Sequence, residues 1–111
     1  MTNLERYEAM DANQLIIQLD DLASSAEREV IFAMIPQLRP DYDLEQNPKT
    51  ALRKSIEKSL EIMLEMMVLL LVLDQKEGGC VMQGAGELVA ESASRVQNST
   101  QKLLNLYKNS K

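Results

Sequence analysis

The chain has 111 residues, of which 45% are hydrophobic and 26% charged, values typical of one folded domain with a core. Seventeen acidic and twelve basic residues give a formal net charge of −5, and the chain contains no histidine and one cysteine, Cys80. This composition excludes a Ser-His-Asp or Cys-His catalytic pair, a histidine-ligated zinc ion and an internal disulfide.

The first long helix, helix A, is predicted over residues 12–35. Asp11 followed by Gln14 is typical of a capping box at a helix start. Pro36 should end the helix, because proline offers no N–H and its ring clashes with the preceding turn. The pattern does not decide whether residues 3–10 join this helix. Apolar residues recur at the helical spacings of three and four, at Leu15, Leu19, Leu22, Ala26, Val30 and Met34.

Helix B is predicted over residues 48–76, after a loop at 36–47 that contains two prolines and three acids. Asn47 is a suitable N-cap and Pro48 suits the first helical position. A glycine-rich turn at 77–80 should end the helix. Its apolar residues at helical spacing are Leu52, Ile56, Leu60, Met63, Met67 and Leu70.

Helix C is predicted over residues 80–108, with Ser92 and Thr100 in gaps of its apolar stripe. That stripe consists of Val81, Ala85, Leu88, Val96, Leu103 and Tyr107. No strand pattern occurs between these helices. The sequence therefore predicts a single all-α domain over 1–111, an antiparallel helical hairpin or bundle of three long helices.

The most apolar segment of helix B, residues 62–73, contains one charged residue, Glu65. A helix that is apolar on every side is expected to be buried on every side, and two helices of the same chain leave a strip of it uncovered. We therefore expect self-association or a partner helix to complete the bundle. The expected contact residues are Leu64, Met67, Val68 and Leu71. The intrachain core is expected to include Leu60, Met63 and Leu70.

Other motifs are incomplete. The glycines between 78 and 86 lack the Lys-Ser/Thr pair of a phosphate-binding loop. Asp41, Asp43 and Glu45 begin like a calcium-binding loop, but the glycine and glutamate that should follow are missing. Cys80 is expected to be a reduced structural thiol, and Glu65 is the one candidate for acid–base chemistry. We expect no catalytic residue, metal or cofactor.

These features predict a non-catalytic protein–protein interaction module that binds an amphipathic helix, of itself or of a partner, through helix B. In size, acidity and helical content, with a lone cysteine, the chain is similar to bacterial secretion chaperones, anti-activators and adaptor subunits, a likeness that implies no site residues. Alternatives are a structural subunit of a larger helical assembly and a small-ligand binder or enzyme around Glu65.

The expected surroundings of the protein follow from its charge and its N-terminus. The net charge of −5 disfavours a nucleic-acid partner. The N-terminal residues contain no apolar run of the secretory type, so we expect a cytoplasmic protein. The apolar segment 62–73 would span only about 18 Å of a bilayer core roughly 30 Å thick, which makes a membrane role less favoured than a buried helix.

Overall fold

The structure is a computed structural model that describes residues 3–39, 48–76 and 86–109. Four α-helices pack against one another in these ranges, which contain no strand, so the prediction of an all-α fold is confirmed. The elements in chain order are α1 (Asn3–Glu8), α2 (Ala12–Met34), a short 3-10 helix (Pro36–Leu38), α3 (Pro48–Lys76) and α4 (Gly86–Lys108). None of these helices is long and apolar enough to cross a membrane.

The start of α2 shows the predicted capping box. The backbone N–H of Gln14 donates to Asp11 Oδ1 at 2.8 Å, and the backbone N–H of Asp11 donates to Gln14 Oε1 at 2.9 Å. Both bonds satisfy N–H groups that the first turn leaves without helical partners. The preceding residues form the separate helix α1, which settles the question that the sequence pattern left open.

The three long helices contact each other pairwise, and α1 packs on α3. Ser59 of α3 meets Thr100 of α4, whereas Lys49, near the start of α3, lies over the ring of Tyr107, near the end of α4. These two contacts show that α3 and α4 run in opposite directions. A core of buried apolar residues lies between the helices and includes Tyr7, Leu15, Leu19, Ile62, Leu69, Leu73 and Val96.

The predicted apolar stripe of α2 is buried along most of its length. Four of its members are buried, namely Leu15, Leu19, Leu22 and Ala26. Val30 is half-buried, whereas Met34 is 67% exposed. Met34 is the last residue of α2.

The buried face of α3 is rotated by roughly a quarter of a turn from the predicted stripe. The face that packs against the other helices contains Ser55, Ser59, Ile62, Met66, Leu69 and Leu73. Leu60, which was expected in the intrachain core, is exposed instead, and Met67, which was expected to contact a partner, is exposed as well. Apolar spacing alone misplaced the stripe because two serines occupy buried positions in the first half of the helix.

Hydrogen bonds make these buried serines tolerable. Arg39 Nη1 donates to Ser55 Oγ at 2.8 Å, and Ser59 Oγ lies 2.6 Å from Thr100 Oγ1. Thr100 Oγ1 also donates to the carbonyl oxygen of Val96 at 3.0 Å. A buried hydroxyl with a partner costs little, and its small side chain allows helices to approach closely.

In α4 the predicted gap residues Ser92 and Thr100 are buried together with Val96 and Leu103. Tyr107, also placed in the predicted stripe, is 38% exposed at the end of the helix. The side chains of Val81, Ala85 and Leu88 lie outside the described residues, as do the predicted turn at 77–80 and the greater part of the predicted loop.

Candidate interaction surface

A row of exposed apolar side chains follows the outer face of α3. We call it the α3 stripe, and it consists of Leu60 (48% exposed), Leu64 (64%), Met67 (57%) and Leu71 (66%). Spacings of four, three and four residues place these side chains on one face, over roughly 16 Å of helix. Single exposed leucines are ordinary, whereas a contiguous apolar row indicates a contact surface.

The four residues expected to contact a partner occupy two kinds of position. Leu64, Met67 and Leu71 belong to the α3 stripe and are more than half exposed. Val68 is half-buried and packs against the core cluster. A charge introduced at Val68 would therefore disturb the fold as well as the surface, and Leu64 or Leu71 is the cleaner place for a test.

Leu60 was expected in the intrachain core together with Met63 and Leu70. Met63 and Leu70 do pack against the core as half-buried residues. The expectation for Leu60 was wrong, because it is 48% exposed and extends the α3 stripe by one turn. The reason is the quarter-turn rotation of α3, which moves Leu60 to the outer face.

Helix α1 borders the α3 stripe on one side. Tyr7 Oη donates to Glu65 Oε2 at 3.5 Å, and Lys76 Nζ donates to the carbonyl oxygen of Glu8 at 2.8 Å. Glu5, Arg6 and Glu8 are exposed on this short helix, which carries a net charge of −1. On the other side, Thr100 of α4 lies 3.5 Å from the sulfur of Met63.

The first eleven residues of α3 are strongly basic. They hold one acidic side chain, Glu57, and four basic ones, Lys49, Arg53, Lys54 and Lys58, a net charge of +3. All five side chains are exposed, and Lys58 Nζ lies 3.8 Å from Glu61 Oε2. The α3 stripe therefore runs between a basic segment at the start of α3 and acidic α1 near its end.

Glu65, the sequence candidate for acid–base chemistry, is half-buried and accepts a hydrogen bond from Tyr7 of α1. Its neighbour Tyr7 is fully buried and accepts a hydrogen bond from Arg6 Nη2 at 3.2 Å. Burial raises the pKa of the Tyr7 hydroxyl, although the bond from Arg6 lowers it. This arrangement anchors α1 to α3 and brings no second carboxylate to Glu65 in the contacts described.

Sequence reasoning missed a charged network between α2 and α4. Arg95 of α4 bonds Asp20 Oδ1 at 2.7 Å, Glu27 Oε1 at 2.6 Å and Ser24 Oγ at 3.1 Å. Hydrogen bonding from Arg95 lowers the pKa of Glu27. The sequence feature that could have predicted this network is Arg95, an isolated arginine among small residues of α4, together with the acidic character of α2. The guanidinium of Arg95, which lines two shallow open grooves, is bonded to carboxylates of α2.

Among the residues that the structure describes, no three Asp, Glu or Cys side chains are grouped closely enough to hold a metal ion. The acidic segment with Asp41, Asp43 and Glu45 lies outside the described residues, and so does Cys80. Comparisons of the chain with protein families, with curated proteins and with solved structures found no match.

Proposed function

We propose that this protein is a non-catalytic interaction module of the chaperone, adaptor or anti-activator type, and that the α3 stripe takes up an amphipathic helix. The observation that carries this proposal is the exposure of four large apolar side chains in one row on the longest helix. An amphipathic helix laid against a row spaced at four, three and four residues packs its own apolar residues between them.

The free energy available at the α3 stripe is large enough for association. Full burial of a leucine or methionine side chain contributes about 1.5–3 kcal/mol. Because these side chains are about half exposed, covering the row contributes about 1 kcal/mol for each, or several kcal/mol in total. Contacts at the polar rim then have to offset the remaining entropic cost of association.

The test uses the full chain as bait, with Leu64→Asp compared against Ile17→Asp. Ile17 lies on α2 and is also 64% exposed, so the two variants bring the same charge to equally exposed positions. Circular dichroism should show native helix content in both. We expect Leu64→Asp to lose the copurifying proteins or the second copy, and Ile17→Asp to retain them. Retention of every association by Leu64→Asp would overturn the proposal.

A further inference from the structure

We propose that α1 is a strap that opens as a unit while the three long helices stay packed, and that its opening uncovers two apolar side chains of α3, Val68 and Val72. We call these two residues the α3 flank. This inference rests on the proposed function, because the α3 flank adjoins the α3 stripe and widens the surface for an amphipathic helix. A partner helix that uses the wider surface displaces α1, so the docked α1 is an autoinhibitory contact.

Helix α1 lies over the α3 flank. Tyr7 of α1 donates a hydrogen bond to Glu65, and Lys76 donates to a backbone carbonyl oxygen of α1. Val68 and Val72 lie between Glu65 and Lys76 along the helix. At about 100° per residue, these four residues of α3 point within roughly a quarter of a turn of one another. Contacts that hold α1 in place therefore bracket the α3 flank.

Burial along this side of α3 increases toward the place where α1 docks. Lys58, Glu65 and Val72 follow one another at intervals of seven residues and therefore lie almost in line along the helix. Lys58 is exposed, Glu65 is half-buried, and Val72 is 3% exposed. Because the increase coincides with the position of α1, we infer that α1 covers Val72 and the half-buried Val68.

The α3 flank is continuous with the α3 stripe. Leu64, Val68 and Val72 are four residues apart, and residues at this spacing are neighbours on the surface of a helix. One row thus leads from Leu64, which is 64% exposed, to Val72 under α1. When α1 opens, this row is exposed along its whole length. An amphipathic helix can then contact both the α3 stripe and the α3 flank.

A single buried side chain anchors α1. Among the side chains of α1 that the structure describes, Tyr7 is fully buried, whereas Leu4, Glu5, Arg6 and Glu8 are exposed. The helix packs mainly on α3. Its six residues are too few for a helix to persist without tertiary contacts, so α1 unfolds when it leaves α3. The opening of α1 is therefore a local order–disorder transition.

The long helices retain their contacts with one another when α1 opens. Asp11 and Gln14 form the capping box of α2 between themselves, so the first turn of α2 needs no bond from α1. Each pair of long helices is in contact, and Arg95 joins α4 to α2. Opening therefore removes the burial of Tyr7 and the contacts of α1, and leaves the contacts between the long helices in place.

The first experiment compares two buried thiols in a Cys80→Ser background. Val72→Cys lies on the α3 flank, and Val96→Cys lies on α4 at a position with no exposed surface. Their reaction with iodoacetamide is followed by mass spectrometry. We expect Val72→Cys to react at least about tenfold faster, because opening of α1 exposes it, whereas Val96→Cys requires unfolding of the bundle. Added urea should accelerate the Val96→Cys reaction far more, because unfolding exposes more surface than opening does. Equal rates with an equal dependence on urea would overturn the strap, because α1 would then open only together with the bundle.

The second experiment removes the anchor by Tyr7→Ala, with Tyr107→Ala at an exposed tyrosine of α4 as the matched control. Circular dichroism should show that the long helices persist in both chains. With Tyr7→Ala, Val72→Cys should react within about tenfold of Leu64→Cys, and Val96→Cys should stay at least about 100-fold slower. Tyr107→Ala should change each rate by less than about threefold. A Tyr7→Ala chain that loses the long helices, or in which Val72→Cys reacts as slowly as Val96→Cys, would contradict independent opening.

A third measurement tests whether the α3 flank and the α3 stripe form one surface. Anilinonaphthalene sulfonate, a dye that fluoresces on exposed apolar surface, should gain about threefold or more in fluorescence with Tyr7→Ala. Adding Leu64→Asp should remove most of this gain, and adding Ile17→Asp, at an equally exposed position of α2, should keep it. No gain, or a gain that Leu64→Asp leaves intact, would contradict the continuous surface. These measurements use no partner, so their failure is distinct from a failure of the proposed function, which the Leu64→Asp bait tests.

Discussion

The orientation of α3 can be tested by truncating two of its leucines, Leu69 and Leu64. Leu69 has no exposed surface, whereas Leu64 is 64% exposed. Substitution by alanine removes the same atoms at both positions and keeps a good helix former there. Any difference between the two variants therefore reports how much of each side chain the rest of the chain covers.

The structure predicts losses of very different size. Leu69→Ala leaves a cavity in the core and should lower the free energy of unfolding by about 2–5 kcal/mol. Only about a third of Leu64 is covered, so Leu64→Ala should lower it by about 0.5–1 kcal/mol, with no cavity left behind. A domain of this size has a total stability of about 5–15 kcal/mol, so both variants should fold.

The assay is urea unfolding followed by circular dichroism at two protein concentrations, about 1 and 100 µM, so that association contributes only to the second. At the lower concentration the two losses should differ as stated. At the higher concentration the loss for Leu64→Ala should grow, because the association that stabilises the native chain is weakened.

Equal losses at the lower concentration would mean that α3 is covered on both faces within one chain. That result would remove the basis for the proposed function. A loss for Leu64→Ala that does not change with concentration would instead contradict self-association through the α3 stripe.

Two further predictions concern buried polar groups. Arg39→Met should lower the free energy of unfolding by about 3 kcal/mol, because the carboxylate of Glu29 loses its cation. The side chain of Glu29 is 10% exposed and lies 3.2 Å from Arg39. Adding Glu29→Leu should recover part of this loss in urea unfolding, and no recovery would refute an ion-pair origin. Burial raises the pKa of Tyr7, so the native chain keeps the hydroxyl proton to higher pH than the unfolded chain does. The wild-type chain should therefore lose stability as the pH rises beyond about 10. Tyr7→Phe should lack this component of the loss between about pH 9 and 11, whereas Tyr107→Phe, altered at an exposed tyrosine, should keep it.

Local chemistry in the sequence was enough to locate helix ends. The Asp11–Gln14 capping box and Pro36 act within one turn of the residues they affect, so α2 begins and ends where these signals lie. In the same way, α3 begins at Pro48, and proline at the first helical position needs no tertiary contact to favour a helix start. The all-α class followed from apolar spacing summed over long segments.

Which side chains of α3 reach solvent could not be predicted in the same way. Leu60 and Leu69 are equally apolar, yet one lies on the outer face and the other in the core. The buried face of α3 contains Ser55 and Ser59. Their hydroxyl groups are hydrogen-bonded to Arg39 and Thr100, which are distant in sequence. A hydroxyl counts as polar in a sequence pattern, and only its tertiary partner makes it a core residue.

An excess of apolar surface on α3 was determined by the sequence alone, because residues 62–73 contain more large side chains than one buried face can hold. The tertiary structure decided which of them form that excess, namely the α3 stripe, and which charges border it. Helix α1 packs beside the stripe because Tyr7 is buried next to Glu65. Packing, which joins residues far apart in the chain, thus selects the exposed face from several that local periodicity allows.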